Sequence, residues 1–297
     1  MIPSLPRPVW LRAATVGYLI AFLAFLFLPL VVVAVFAFND APYPAPPWRG
    51  FTLDWFLGNS GRGRTGLFAD RELLGSIWTS CVVAIWVTVL SAVVGTTNAF
   101  LIERARFRGK EVLSILMLAP LVIPGVILGI SILAFASRVA DFADDSFGLE
   151  LDFLRPGLPL VVLGQFSYIA TIATLTISAR LRRFDRTLEE AALNLGASKA
   201  AVFGTILLPY LQPALLGSAA ISFLMSFADF NTTLMLVGAD TPLTVMMYGR
   251  MREGATPVLN AVSLFLMIAS AVLALTLLRR GGPSRATPPD PIEASDA

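Results

Sequence analysis

Residues 73–102 read LLGSIWTSCVVAIWVTVLSAVVGTTNAFLI, thirty consecutive positions without a charge. A bilayer core is crossed by about 20 apolar residues in a helix, so this stretch is long enough to span one. Working outward, uncharged runs of comparable length occupy 13–39, 112–137, 156–179 and 254–278, and a sixth, 209–239, is interrupted only by Asp229. Lipid offers no partner to backbone amides and carbonyls, so runs of this length must be helices, whereas a barrel would show short alternating segments. The expected class is an all-α integral membrane protein with six transmembrane helices. Composition agrees: 56% of residues are hydrophobic and 14% charged, against about 25% charged in soluble domains.

The first run is longer than the core of a signal peptide and no small-residue cleavage pattern follows it, so it reads as a span. Pro29, Pro120 and Pro124 fall inside spans, where kinks rather than breaks are expected. Of the 22 Lys and Arg residues, fourteen lie before span one, after spans two and four, or after span six. The positive-inside rule therefore expects both termini and those two loops in the cytoplasm of a bacterial cell, with the chain multi-pass in the inner membrane. Residues 1–12 are then a cytoplasmic N-terminus and 13–280 the permeation domain. Residues 281–297, rich in Pro and Ala, are expected to be a disordered cytoplasmic tail.

The chain has no histidine and one cysteine, Cys81, which excludes imidazole-based catalysis, zinc sites, iron–sulfur clusters and an internal disulfide. Gly109-Lys110 is followed by Glu111 and lacks the spacing of a phosphate-cradling loop, so any ATP that drives this protein is bound by another chain. The net charge of +2 is accounted for by loop asymmetry, and no nucleic-acid partner is expected.

The most informative loop follows span four. Thr187 and Glu190 have the spacing of a capping box, and Leu188, Ala191, Ala192 and Leu195 recur at helical intervals to form a narrow apolar face with small residues at its centre. Gly196 suits a left-handed helix stop, Ser198 suits the cap of a second helix, and Pro209 limits how far that helix continues unkinked. The unit 187–209 therefore reads as helix, tight turn, helix. An amphipathic hairpin lying on anionic lipid is the competing reading.

These residues resemble a known family. Glu190-Ala191-Ala192, then Gly196, then Ile206-Leu207-Leu208-Pro209, is similar to the EAA signature of permease subunits of binding-protein-dependent ABC importers. Stretches such as 36–39, 48–52, 106–110, 222–229 and 257–261 resemble the spermidine/putrescine type, specifically the second of its two paired membrane subunits. The resemblance implies a type I importer fold in which Glu190, Ala191, Ala192 and Gly196 form a coupling helix seated in a cytosolic ATPase, with Ile206 and Pro209 fixing its exit. It further implies two ATPase subunits that carry ATP and Mg, a second permease subunit, a periplasmic solute-binding protein, surrounding membrane lipid, and no cofactor held by this chain.

Asp229 is the one charge well inside a span, and an intramembrane carboxylate is costly enough to mark a cavity or a partner. Asp229, Asn231 and Thr232 are the substrate-path candidates, with a structural hydrogen bond or ion pair as the alternative. Polyamine permeases typically carry two adjacent acids here, whereas Ala228 precedes Asp229, which leaves room for a monoamine or an amino acid derivative. Gln165 and Tyr168 read as interhelical polar handles, and Gly125-x-x-x-Gly129 as a close-packing pattern. A secondary transporter would call for several buried charges, and a membrane enzyme for a convergent Ser, Asp or Glu constellation; neither is present.

Overall fold

Helices long and apolar enough to cross a bilayer number six among the described residues of the computed structural model, which covers 9–254 and 256–280. Residues 1–8 and the tail 281–297 expected to be disordered lie outside the described residues. The helices are α1 (Val9–Phe36), α2 (Asp54–Leu57), α3 (Arg71–Arg104), α4 (Lys110–Val122), α5 (Gly125–Phe147), α6 (Leu158–Leu181), α7 (Thr187–Asn194), α8 (Lys199–Val202), α9 (Leu208–Ala228), α10 (Asn231–Leu236), α11 (Leu243–Gly254) and α12 (Val258–Arg280). Extended pairing among the described residues is limited to two isolated bridges, Asn39 with Phe51 and Asn59 with Arg64.

Two compact units divide the chain. Among the described residues, one gathers those up to Gly75 with those of 246–269, the other Ser76–Val245 with 270–280. In the first unit, α1 runs through Pro29 unbroken, and none of its most apolar window is buried within the chain. The connection from α1 to α3 is folded on itself. Phe38 stacks on Phe51 and Phe56, and the Trp55 indole donates to the Asn39 carbonyl at 2.8 Å. Arg62 and Arg64 both pair with Asp40 and Asp54, and the Arg64 guanidinium lies 4.7 Å from the Trp55 ring centre. Arg64 and then Arg62 hold the Asp40 carboxyl below its usual range. Arg250 of α11 pairs with Asp70 and Glu72 at the start of α3. These groups line a cleft of about 650 Å³ between Trp55, Arg64, Asp70, Arg250 and Glu253.

The second unit is built around α6, whose Leu160, Val161 and Ile169 are buried against Val83 and Val87 of α3, Ala136 of α5 and Leu236 of α10. Water is absent from the bilayer core, so close van der Waals fit rather than apolar burial drives such packing, and small residues allow it. At Gly95 an added Cβ would lie 2.8 Å from that of Ala173, which sets the closeness of α3 to α6.

Two spans differ from expectation. Run 112–137 is not one kinked helix: α4 stops at Val122, Ile123 and Pro124 are extended, and α5 begins at Gly125. Pro124 has no amide to continue the ladder and forces its predecessor out of the helical region, so it breaks the helix, while Pro120 is carried inside α4. Because α5 continues to Phe147, Asp141, Asp144 and Asp145 stand on its last turns and not in a loop. Run 209–239 is likewise divided, α9 ending at Ala228 and α10 starting at Asn231.

Candidate translocation site and coupling element

The two breaks meet. Gly125 opens α5 and Asn231 opens α10, and a Cβ placed on Gly125 would lie 3.1 Å from the Asn231 Cβ and 3.3 Å from the Thr232 hydroxyl. Farther along, Gly129 faces the Met235 Cβ, Gly164 faces Leu236, and Gly238 faces the carbonyl of Pro156. The Gly125-x-x-x-Gly129 pattern is thus one wall of a cradle that holds α10. Thr232 sits inside it, 1% exposed with its hydroxyl unpartnered, while Asn231 is exposed.

Asp229 occupies the second break, half-buried. Its Oδ1 accepts from the Tyr168 hydroxyl at 3.1 Å, and its Oδ2 accepts from the Thr233 amide at 2.9 Å and the Thr233 hydroxyl at 2.7 Å. The carboxylate therefore satisfies an amide at the start of α10 and favours the positive end of that helix. The chain of bonds continues: Gln165 Nε2 donates to the Thr233 hydroxyl at 2.8 Å, and the Ser226 hydroxyl donates to Gln165 Oε1. Gln165 and Tyr168 thus join α6 to α9 and α10. Thr233 and Ser226 were missed, although Ser218, Ser222 and Ser226, spaced by four and all buried, mark one face of α9. Tyr168 lies ten residues into α6, about 15 Å along a helix about 36 Å long, which puts the carboxylate beside the middle of that span. All three of these donors are neutral groups, and no Lys or Arg pairs with the carboxyl among the described residues. Thr244 also donates to the Asp229 carbonyl at 2.8 Å, tying the start of α11 to the break.

At the far end of α6, α7 stands out from the body. Thr187, Leu188, Glu190, Ala191, Leu193, Asn194 and Leu195 are all exposed, Leu188 by 53% and Leu195 by 88%. The expected capping box does not form. The Glu190 amide bonds to the Arg186 carbonyl, and Asp185 accepts from the Thr187 amide at 2.9 Å. The Thr187 amide and then its hydroxyl hold the Asp185 carboxyl below its usual range. The stop does form as expected: Gly196 has φ +89°, its amide bonds to Leu193 and that of Ala197 to Ala192, the two bonds of a Schellman motif. Ser198 caps α8 through the Ala201 amide at 3.2 Å. Pro209 is accommodated without ending the helix. A π-turn at Phe203–Leu207 precedes it and shifts the ladder so that the Leu208 amide bonds to the Phe203 carbonyl. Ile206 lies half-buried in that turn, with Pro209 exposed just after it.

One family, the binding-protein-dependent transport system inner membrane component, matches residues 95–280, more than half of the chain. The chain belongs to that family. As a permease component of an ABC importer it is a transport subunit, not an enzyme. Among its relatives, the putrescine transport system permease protein PotI of Escherichia coli (strain K12) is 28% identical over 251 residues, covering 84% of each chain. The spermidine/putrescine transport system permease protein PotC of Haemophilus influenzae is 27% identical, covering 84% of this permease and 89% of the relative. In fold the permease is similar to a subunit of a bacterial alginate ABC transporter solved with its periplasmic protein, at TM-score 0.72 and 19% identity over 91% of this chain and 94% of that one. The MetNI methionine ABC transporter follows at TM-score 0.53 and 16% identity, over 71% and 93%.

Proposed function

We propose that this permease forms half of the path of an importer for small amines of the polyamine class, delivered by a periplasmic binding protein, and that α7 is the coupling helix seated in a cytosolic ATPase that carries ATP and Mg. The observation that carries the ATPase reading is α7 itself: a helix with a fixed stop at Gly196 and three exposed leucines, Leu188 by 53%, Leu193 by 41% and, just past its end, Leu195 by 88%. Uncovered apolar side chains beside a rigid turn suit a protein groove better than a lipid surface, which does not require a fixed stop. One chain carries one such helix, so a second permease and two ATPases complete the assembly. Both termini and α7 are then cytoplasmic.

The polyamine class is supported by the PotI and PotC relatives and by Asp229, with Asn231 beside it and Thr232 behind. A carboxylate whose donors are all neutral attracts a passing ammonium group at mid-membrane.

The test is co-purification from membranes that co-express the partner subunits. The wild-type permease retains the ATPase; Glu190→Arg and Gly196→Pro lose it while still inserting in the membrane. Retention in both variants removes the coupling assignment. For the path, uptake by Asp229→Asn is compared across putrescine, spermidine and uncharged solutes. Selective loss of the cations supports contact with the carboxylate, and equal loss across the panel assigns Asp229 to holding α10 alone.

A further inference from the structure

Glu189 and Ala192 alone in α7 are not exposed, and Glu189 is covered by Arg104, the last residue of α3 and 85 positions away in sequence. Arg104 donates to both carboxylate oxygens of Glu189, at 2.6 and 3.3 Å, with the two side chains 20% and 24% exposed. The same guanidinium lies 5.6 Å from the ring centre of Phe184. The preceding residue of α3, Glu103, accepts from Arg182 Nε at 2.8 Å, and its carbonyl accepts from Arg186 at 3.1 Å. The last two residues of α3 therefore bracket the whole approach to α7. Phe184 in turn packs edge-on against Tyr210 of α9 at 4.9 Å, and Arg180 of α6 donates to the Tyr210 carbonyl at 2.6 Å.

We infer that the Arg104–Glu189 pair is a strut that transmits displacement of α7 to α3, so that Arg104 and Glu189 are positioning residues for coupled transport. The inference rests on the reading of α7 as the ATPase-docking helix. A helix of eight residues with no buried side chain has little other means of pushing on the bundle beside it. A two-point, charge-assisted contact fixes direction as well as distance, which a single apolar contact does not. Arg104 further joins the strut to the Phe184–Tyr210 packing, so one displacement reaches α3, α6 and α9 together. Glu190, one residue on, is exposed, which suits it to the ATPase contact.

The experiment uses the complete transporter in proteoliposomes, with binding protein and putrescine as the probe solute, and reads uptake, ATP hydrolysis and ATPase retention on the same preparations. Arg104→Glu is expected to retain the ATPase and its basal hydrolysis, while putrescine uptake per ATP falls by about tenfold, within the usual range of coupling between sites. Glu189→Arg is expected to lose uptake similarly, and the exchanged pair Arg104→Glu/Glu189→Arg to recover at least half of it. A merely structural contribution would lower thermal stability of all variants without recovery in the exchanged pair. Unchanged uptake per ATP in Arg104→Glu, or no recovery in the exchanged pair, overturns the strut. Loss of the ATPase from the Glu189→Arg complex that the exchange does not restore assigns Glu189 to the ATPase contact instead and also overturns it. Failure of the wild-type complex to retain its ATPase removes the docking reading, and the strut with it, before any variant is compared.

Discussion

A single methyl group is enough to test the cradle around α10. On Gly129 it would meet the Cβ of Met235 at 2.9 Å and the Thr232 carbonyl at 3.2 Å, neither of which is the free end of a flexible side chain. Gly129→Ala is therefore expected to destabilise the purified permease by about 1–3 kcal/mol, as overpacking does. Gly217→Ala in α9 has nothing within 4 Å of the new atom and gains helix propensity of up to about 1 kcal/mol, so it is neutral or stabilising. Thermal unfolding in detergent checks both, and equal melting of the two variants would show that α10 is not tightly held. Residue by residue, the sequence disclosed what was chemically unusual. Asp229 was visible as a charge in an apolar run, and Gly125 with Gly129 as a spacing. That Asp229 serves the amide of Thr233 was not visible, because the chain break that frees that amide comes from packing against α5 and α6. Likewise Thr187 had the spacing of a cap, yet its amide is satisfied by Asp185, in the short link after α6 whose Phe184 is buried.

Among the elements, the long apolar helices were legible because lipid imposes one requirement on every spanning segment, and a run of uncharged residues reports it directly. The divisions within α4–α5 and α9–α10 were not. Hydropathy averages over a window and is blind to where the hydrogen-bond ladder stops, and only Pro124 gave a local sign. The connection between α1 and α3 carries its own prediction. Hydrogen bonds from Arg250 hold the Asp70 carboxyl below the usual carboxylate range, and those to Asp70 raise Arg250 above its ordinary value. A carboxylate with a depressed value stabilises the fold above its unfolded pKa and loses that contribution as pH falls through the folded value. The clamp between α11 and the start of α3 is thus intact at neutral pH and opens only in acid, below the usual carboxylate range. Hydrogen exchange in 246–254, corrected for its intrinsic pH dependence, should stay level from about pH 8 to about pH 5 and rise only in stronger acid. In Asp70→Asn it should be fast already at neutral pH, and slow exchange there would mean that the ion pair holds nothing.

For the molecule as a whole, exposure to lipid and exposure to a water-filled path look alike in a single chain, and labelling separates them. In a Cys81→Ser background, a cysteine at Phe25 of α1, 78% exposed, should react with membrane-soluble reagents but not with a charged maleimide. A cysteine at Asn231 should react with the charged reagent, and more so when putrescine-loaded binding protein and ATP are present. Protection of Asn231→Cys in every state would remove it from the path. The two helix breaks carry a consequence of their own. They lie at one depth, so the second unit has two storeys: α4 and α9 below, α5 and α10 above, with α6 running unbroken through both like a mast. The upper storey is locked by glycine contacts, whereas the lower one meets α7 and the π-turn. Any tilt of α4 and α9 against α5 and α10 turns the backbone at 123–124 and 229–230, and because α9 packs along α6, the mast leans with the floor.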